Sequence, residues 1–301
     1  MQYIDVIRFD SMSIAGYMDC HSWEDYPCRL LFDMKLSDIT CGDVTILYGN
    51  NGSGKSTILN LIAEKIGCSR KNKLYKHTMY GSSIYVPFDG MVDCMEIETV
   101  LDECGRRNID LPYIKRLITS DDIFKELENT IINNKKSSEE MKNAIEDKYD
   151  IIEKAQDDNF RYRCMADYDR MMQVKEAYKN SDYKYAIKHT TKRAYKLNSN
   201  GETALMYFDN IFENDGIYLL DEPENCLSPI FQLKLMEIIE YVSKYCGCQF
   251  IIATHSPLIL SLNDAKIYNL DKRPVEVNNW NELENVKLYY EFFKRREKEF
   301  N

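Results

Sequence analysis

Residues 44 to 57 read VTILYGNNGSGKST, a short apolar run that passes straight into glycines and then into Lys-Ser-Thr. The segment Gly49-Asn50-Asn51-Gly52-Ser53-Gly54-Lys55-Ser56 fits G-x-x-x-x-G-K-[ST] without a mismatch. The following TILNLIAEKI has helical spacing and a glycine stop at Gly67. A strand, a glycine loop and a helix in that order constrain the chain strongly. The glycines let successive N–H groups turn inward around phosphates, and the helix N-terminus adds its partial positive charge. Lys55 is expected to reach the terminal phosphates and Ser56 to ligate Mg²⁺. Nucleotide binding is therefore assigned to Gly49, Asn50, Asn51, Gly52, Ser53, Gly54, Lys55, Ser56 and Thr57.

Such a loop needs a second, metal-orienting carboxylate at the end of a neighbouring strand. The run GIYLLDE, residues 216 to 222, supplies it. Four apolar residues place Asp221 at the strand's C-terminal edge, where it can hold Mg²⁺ through water. The adjacent Glu222 is placed to orient and deprotonate an attacking water, which favours hydrolysis over transfer to a substrate hydroxyl. A second buried run, QFIIATH at 249 to 255, ends in His255, the expected γ-phosphate sensor and positioner. Between the two runs, Ile230, Leu233, Leu235, Ile238, Ile239 and Val242 mark a helix over 229 to 245 and complete a βαβ unit. Both ends of the chain thus build one parallel-sheet core. The predicted catalytic residues are Glu222, His255 and Lys55.

The middle is different. From about Asp121 to Leu197 the chain is charged, poor in proline and glycine, and helical in composition, which predicts a helical insertion. Asp121 to Phe160 hold 6 Lys/Arg against 12 Asp/Glu, whereas Arg161 to Asn198 hold 10 against 4. The sign of the charge reverses midway. One reading is an antiparallel helical hairpin whose arms attract each other. The other takes Lys179, Lys184, Lys188, Lys192, Arg193 and Lys196, interleaved with Tyr178, Tyr183, Tyr185 and Tyr195, as a nucleic-acid surface. Because the net charge is −10, any nucleic-acid contact has to come from such a local patch.

Taken together, the Walker A stretch, Asp221-Glu222, the following PENCLS, and the ATHSP block at 253 to 257 resemble an ABC-type ATPase head. Ser199-Asn200-Gly201-Glu202 falls where that class keeps its signature loop. By that resemblance Ser199 and Gly201 cap the γ-phosphate of ATP bound to a second subunit. More narrowly, SNGET, YLLDEPENCLSP, QFIIATHSP and AKIYNLD resemble stand-alone bacterial ABC-type ATPases of AAA-family description, related to the chromosome-maintenance and repair heads. The resemblance covers residues 1 to 90 and 198 to 301. It implies an α/β P-loop fold with a mainly parallel central sheet, an N-terminal antiparallel β part and a helical insertion. The expected divisions are residues 1–120, 121–197 and 198–301. It also implies that Leu117 to Asp122 form the strand and Q-loop. No glutamine stands there, so Asp121 is the stand-in metal contact. Tyr26 is the candidate for stacking on adenine.

The function expected is an ATP-driven clamp or dimerisation switch, with ATP and Mg²⁺ as ligands, set in DNA repair or phage defence. Its partners would be a second copy of the chain and, through the insertion, nucleic acid or a partner protein. The competing reading is the ATP-binding subunit of a membrane transporter, whose heads normally keep a Q-loop glutamine and a shorter helical subdomain. A small-molecule kinase is opposed by Glu222, His255 and the signature-like loop. The N-terminal MQYIDVIRFD reads as a strand and not as a signal peptide, and no run of about 18 apolar residues occurs. Apart from Cys246-Gly247-Cys248, the ten cysteines are scattered singly without C-x-x-C spacing. They are read as buried thiols in a cytoplasmic, reducing setting.

Overall fold

The structure is a computed structural model and describes residues 2–10, 28–36, 38–70, 87–101, 110–126 and 200–300, with positions 14, 16, 128, 129, 169 and 172. The chain divides into two units, Met1–Phe124 with Asn200–Asn301, and Lys125–Ser199. The point of charge reversal and the lysine–tyrosine stripe lie outside the described residues, as do Tyr26 and Ser199.

The first unit carries nine strands among the described residues: β1 (Ile4–Phe9), β2 (Ile39–Thr40), β3 (Val44–Tyr48), β4 (Met95–Thr99), β5 (Ile114–Thr119), β6 (Gly216–Asp221), β7 (Gln249–Thr254), β8 (Lys266–Asn269) and β9 (Glu276–Asn278). Its helices include α1 (Cys28–Met34), α2 (Lys55–Ile66), α3 (Pro87–Asp93), α4 (Asn200–Ile211), α5 (Pro229–Tyr245) and α6 (Glu284–Arg295). Six strands form the central sheet in the order β5-β6-β7-β3-β8-β9. All its pairings are parallel except β8 with β9. Every residue of β3 and β7 is buried, as are the first five of β6. Successive side chains of a strand point to opposite faces, so this burial means that both faces are covered. That explains the unbroken apolar runs in the sequence. Helix α2 packs on β5, β6 and β7, and α5 packs on β7.

A smaller antiparallel sheet, β2-β1-β4, holds the N-terminal strand. Gln249, the first residue of β7, is fully buried and joins this sheet to the central one. Its Oε1 accepts the N–H groups of Tyr3 and Ile4 at 3.1 and 2.9 Å. Its Nε2 donates to the carbonyls of Ile4 and Gly42 at 2.8 and 2.9 Å. One polar side chain thus hydrogen-bonds four backbone groups, of which the Ile4 carbonyl also accepts from Gln2 Nε2 at 3.0 Å.

Two local expectations change. In α5 the buried stripe is Leu235, Ile239 and Val242, while Ile230 and Leu233 are exposed. A stripe of spacing four and three faces the sheet, and the first turn points away from it. The segment expected as a Q-loop is instead a helix start, because residues 120–126 are helical directly after β5. Thr119 and Asp122 cap this start reciprocally. The Asp122 carboxylate accepts the Thr119 N–H at 3.0 Å and its hydroxyl at 2.9 Å, and the Asp122 N–H donates back to that hydroxyl at 3.3 Å. No helix among the described residues is long and apolar enough to cross a membrane.

Candidate functional site

The sheet register brings four strand ends together. Tyr48 pairs with Thr254, Ala253 with Asp221, and Asp221 with Thr119. The glycine loop leaves β3 at this edge and enters α2 at Lys55. Gly54 is the N-cap of α2 at φ 96°, in the left-handed region that glycine tolerates. A Cβ there would lie 2.5 Å from Met34 Cε and 2.9 Å from Leu30 Cδ2, so the ends of two α1 side chains would also have to give way. A Cβ on Gly49 would run into the Ser53 side chain. Ser53 Oγ is buried and has no hydrogen-bond partner. An orphaned hydroxyl inside a loop of this conformation suits a phosphate acceptor.

Lys55 is buried, with its Nζ donating to the carbonyls of Gly49 at 2.8 Å and Asn50 at 3.1 Å. The same Nζ lies 3.5 Å from Glu222 Oε1. Ser56 Oγ donates to Asp221 Oδ1 at 2.9 Å. Hydroxyl and carboxylate oxygens are the donors that Mg²⁺ takes, so this pair fits the expected metal. Among the described residues no group of three or more His, Cys, Asp or Glu is arranged to hold a metal ion. Burial pushes the Asp221 carboxyl up to about 6, with the Ser56 hydroxyl opposing and the neighbouring Glu222 adding to the rise.

Glu222 follows β6 in a left-handed conformation, φ 48° and ψ 54°. A non-glycine residue held there stores local strain of about 1–3 kcal/mol, which the surroundings must hold in place. The Glu222 N–H is fixed on the Ala253 carbonyl at 2.9 Å, and Asn225 Nδ2 donates to Glu222 Oε2 at 3.0 Å. Burial alone would raise its carboxyl, but Asn225, Lys55 and His255 together hold it below the usual range. Glu222 is therefore ionised at neutral pH, as a base must be. His255 Nδ1 lies 3.5 Å from Glu222 Oε1 and 3.4 Å from Glu224 Oε1, near both but hydrogen-bonded to neither.

Asp121, the expected stand-in, is exposed two residues past β5, and its charge acts on Cys226. The strand pairing brings Thr119, and not Asp121, level with Asp221. Gly201 lies in the first turn of α4.

Two functional candidates escape a reading of motifs. Glu224 is buried, and its Oε1 accepts from Thr254 Oγ1 at 2.6 Å and from the N–H groups of His255 and Ser256 at 3.0 and 3.2 Å. Asp271, just past β8, accepts the Asn50 N–H at 2.9 Å and the Asn50 Nδ2 at 3.1 Å, which ties down the entry to the glycine loop. The signal for Glu224 was an acidic residue inside an otherwise uncharged turn, PENCLSP. Asp271 had no local signal beyond its place after an apolar strand.

Residues 144–261 match a protein family described as "AAA domain, putative AbiEii toxin, Type IV TA system". No curated protein matches the chain. Solved structures that it resembles include the Smc head domain of Pyrococcus furiosus with an extended coiled coil bound to the C-terminal domain of ScpA. That likeness has 15% identity over 97% of this chain and 100% of that chain, with a TM-score of 0.38. The SMC head domain from Thermotoga maritima is 16% identical over 77% of this chain and 88% of that one, with a TM-score of 0.35. The ATP-binding cassette MJ0796, in a dimeric post-hydrolysis state bound to ADP and Pi, is 16% identical over 81% and 90%, with a TM-score of 0.35. The family match agrees with the AAA-family part of the resemblance that the motifs carry.

Proposed function

From the AAA-family match and the convergence of Lys55, Ser56, Asp221, Glu222 and His255 at one sheet edge, we infer that the chain is an ATP-hydrolysing P-loop ATPase that works as an ATP-driven switch. The observation that carries this reading is the contact of Lys55 Nζ with Glu222 Oε1 at 3.5 Å. It puts the phosphate-binding lysine and an ionised carboxylate on the same small volume, which hydrolysis requires and nucleotide storage does not.

In this account the backbone N–H groups of Gly52 to Thr57 and the Lys55 ammonium bind the phosphates of ATP. Ser56 and Asp221 hold Mg²⁺, which when bound neutralises developing phosphate charge. Glu222 orients a water and takes its proton, and His255 positions the terminal phosphate. Lys55, now on the Gly49 and Asn50 carbonyls and near Glu222, must turn to the nucleotide. That movement frees Glu222 for water. Asp121 is a candidate further metal contact, acting through water from beyond β5. By the family resemblance, Ser199 and Gly201 would complete the site of a second copy by offering a hydroxyl and N–H groups to its nucleotide. Binding then closes a head-to-tail pair and hydrolysis reopens it, passing the motion to nucleic acid or a partner protein through residues 121–197. The setting proposed is DNA repair or phage defence in the cytoplasm.

The test is ATP turnover and nucleotide binding by the wild type and by Lys55→Ala. The variant is expected to lose at least about 100-fold in kcat/KM, or about 2.7 kcal/mol. Near-normal turnover in Lys55→Ala would remove the P-loop assignment. For the switch, Mg-ATP should double the solution mass of Glu222→Gln, and a mass indifferent to bound ATP would reject closure between two copies.

A further inference from the structure

Glu224 has no part in the chemistry above, yet it is more deeply buried than Asp221 or Glu222, with its side chain 5% exposed. One oxygen, Oε1, takes three donors, namely the Thr254 hydroxyl and the N–H groups of His255 and Ser256. The turn that carries His255 is thereby pinned from below at three consecutive residues. From the other side, Asn285 Nδ2 donates to the His255 carbonyl at 3.1 Å. The backbone of His255 is held at both ends of its peptide while its imidazole stays partly exposed, at 39%.

Capping a turn does not need a buried charge. A threonine or asparagine oxygen accepts N–H groups without the desolvation that a buried carboxylate suffers. Two atoms in this corner are also buried without partners, Glu224 Oε2 and His255 Nδ1. Orphans of this kind are rare in folded proteins and ask for an explanation. Here they lie on two neighbouring side chains, with His255 Nδ1 3.4 Å from Glu224 Oε1. A small rotation of the imidazole would satisfy the nitrogen.

Glu222 competes for the same nitrogen from 3.5 Å, through the oxygen that also faces Lys55. A base that must accept a proton from water gains nothing by accepting one from His255. Glu224 is the drier and better-anchored acceptor. Resting on the ATPase reading, we propose that Glu224 is the positioning residue of His255: it fixes the 254–256 turn and takes the Nδ1–H of the imidazole. This selects the tautomer whose Nε2 is unprotonated in the resting enzyme, so that Nε2 must take a proton from solvent before it can donate to the terminal phosphate, and it keeps Glu222 free for water. The division of labour follows from the strained turn at Glu222, which sends Glu222 and Glu224 to opposite tasks within three residues.

The experiment combines imidazole nitrogen NMR on the nucleotide-free protein, at mildly alkaline pH, with ATP kinetics. The variants are Glu224→Ala and Glu224→Gln, the latter keeping an Oε1 acceptor. His255→Gln serves only to identify the signal among the four histidines. The wild type and Glu224→Gln are expected to carry the His255 proton on Nδ1, and Glu224→Ala to move it to Nε2. Glu224→Ala should lower kcat about 10- to 100-fold while its ATP dissociation constant stays within about threefold, and Glu224→Gln should recover most of kcat. A wild-type proton on Nε2, an unchanged tautomer and kcat in Glu224→Ala, or a Glu224→Gln as impaired as the alanine variant would each overturn the proposal. A wild type without ATP turnover would instead reject the ATPase reading, and the tautomer would then decide the positioning role alone.

Discussion

Lys55 Nζ lies 3.5 Å from Glu222 Oε1, which links the first residue of α2 to the residue that follows β6, 167 positions away in sequence. The lysine is almost wholly buried and the glutamate a quarter exposed. Both are held by other groups, the lysine by two loop carbonyls and the glutamate by Asn225. The contact therefore belongs to a resting arrangement in which each charged group waits on the other. In the proposed mechanism nucleotide phosphate competes for the lysine, so binding and activation of the base would become one event.

The carboxyl of Asp221 gives a pH signature. Burial raises it from 3.8 to about 6 in the folded protein. The fold then holds the proton more tightly than the unfolded chain does, so stability falls as pH rises from the ordinary carboxylate range to about 6 and levels off above it. Asp221→Asn removes this contribution. Urea midpoints measured with a metal chelator between about pH 4 and 7 should show the variant gaining on the wild type as pH rises. A difference between the two proteins that does not change with pH would contradict the burial of an ionisable Asp221.

Gln249 tests how the two sheets are joined. Replacing it by leucine removes the side-chain partner of the Tyr3 and Ile4 N–H groups and of the Gly42 carbonyl, while the Ile4 carbonyl keeps Gln2 Nε2 at 3.0 Å. The expected cost is about 3 kcal/mol, read as a lower urea midpoint with an unchanged slope. ATP affinity should hardly change, because Gln249 starts β7 and the site lies past its other end, about 17 Å away. A loss below about 0.5 kcal/mol would mean that the N-terminal sheet is held by other contacts.

What the sequence made legible and what it hid divide along physical lines. VTILY, GIYLLD and QFIIAT read as strands because a buried parallel strand must be apolar on both faces. Lys55, Ser56, Asp221 and Glu222 read as a site because their roles follow from position at a strand end or helix start. Glu224 did not, since its burial depends on the left-handed turn at Glu222, and no periodicity announces a positive φ at glutamate. Asp271 meets Asn50 only because β8 lies beside β3, with Tyr48 paired to Asn269. The Thr119–Asp122 capping box was written in TSDD, yet a helix start there was hidden by expecting a loop.

The most direct measurement is single-turnover hydrolysis of ATP by Glu222→Gln, with nucleotide binding measured on the same sample. An amide keeps the size of the side chain and one acceptor oxygen but cannot take a proton from water. The account predicts ATP binding within about threefold of the wild type and a hydrolysis rate lower by about 100- to 1000-fold. Hydrolysis at the wild-type rate, with ATP bound, would show that Glu222 is not the base and would contradict the central claim.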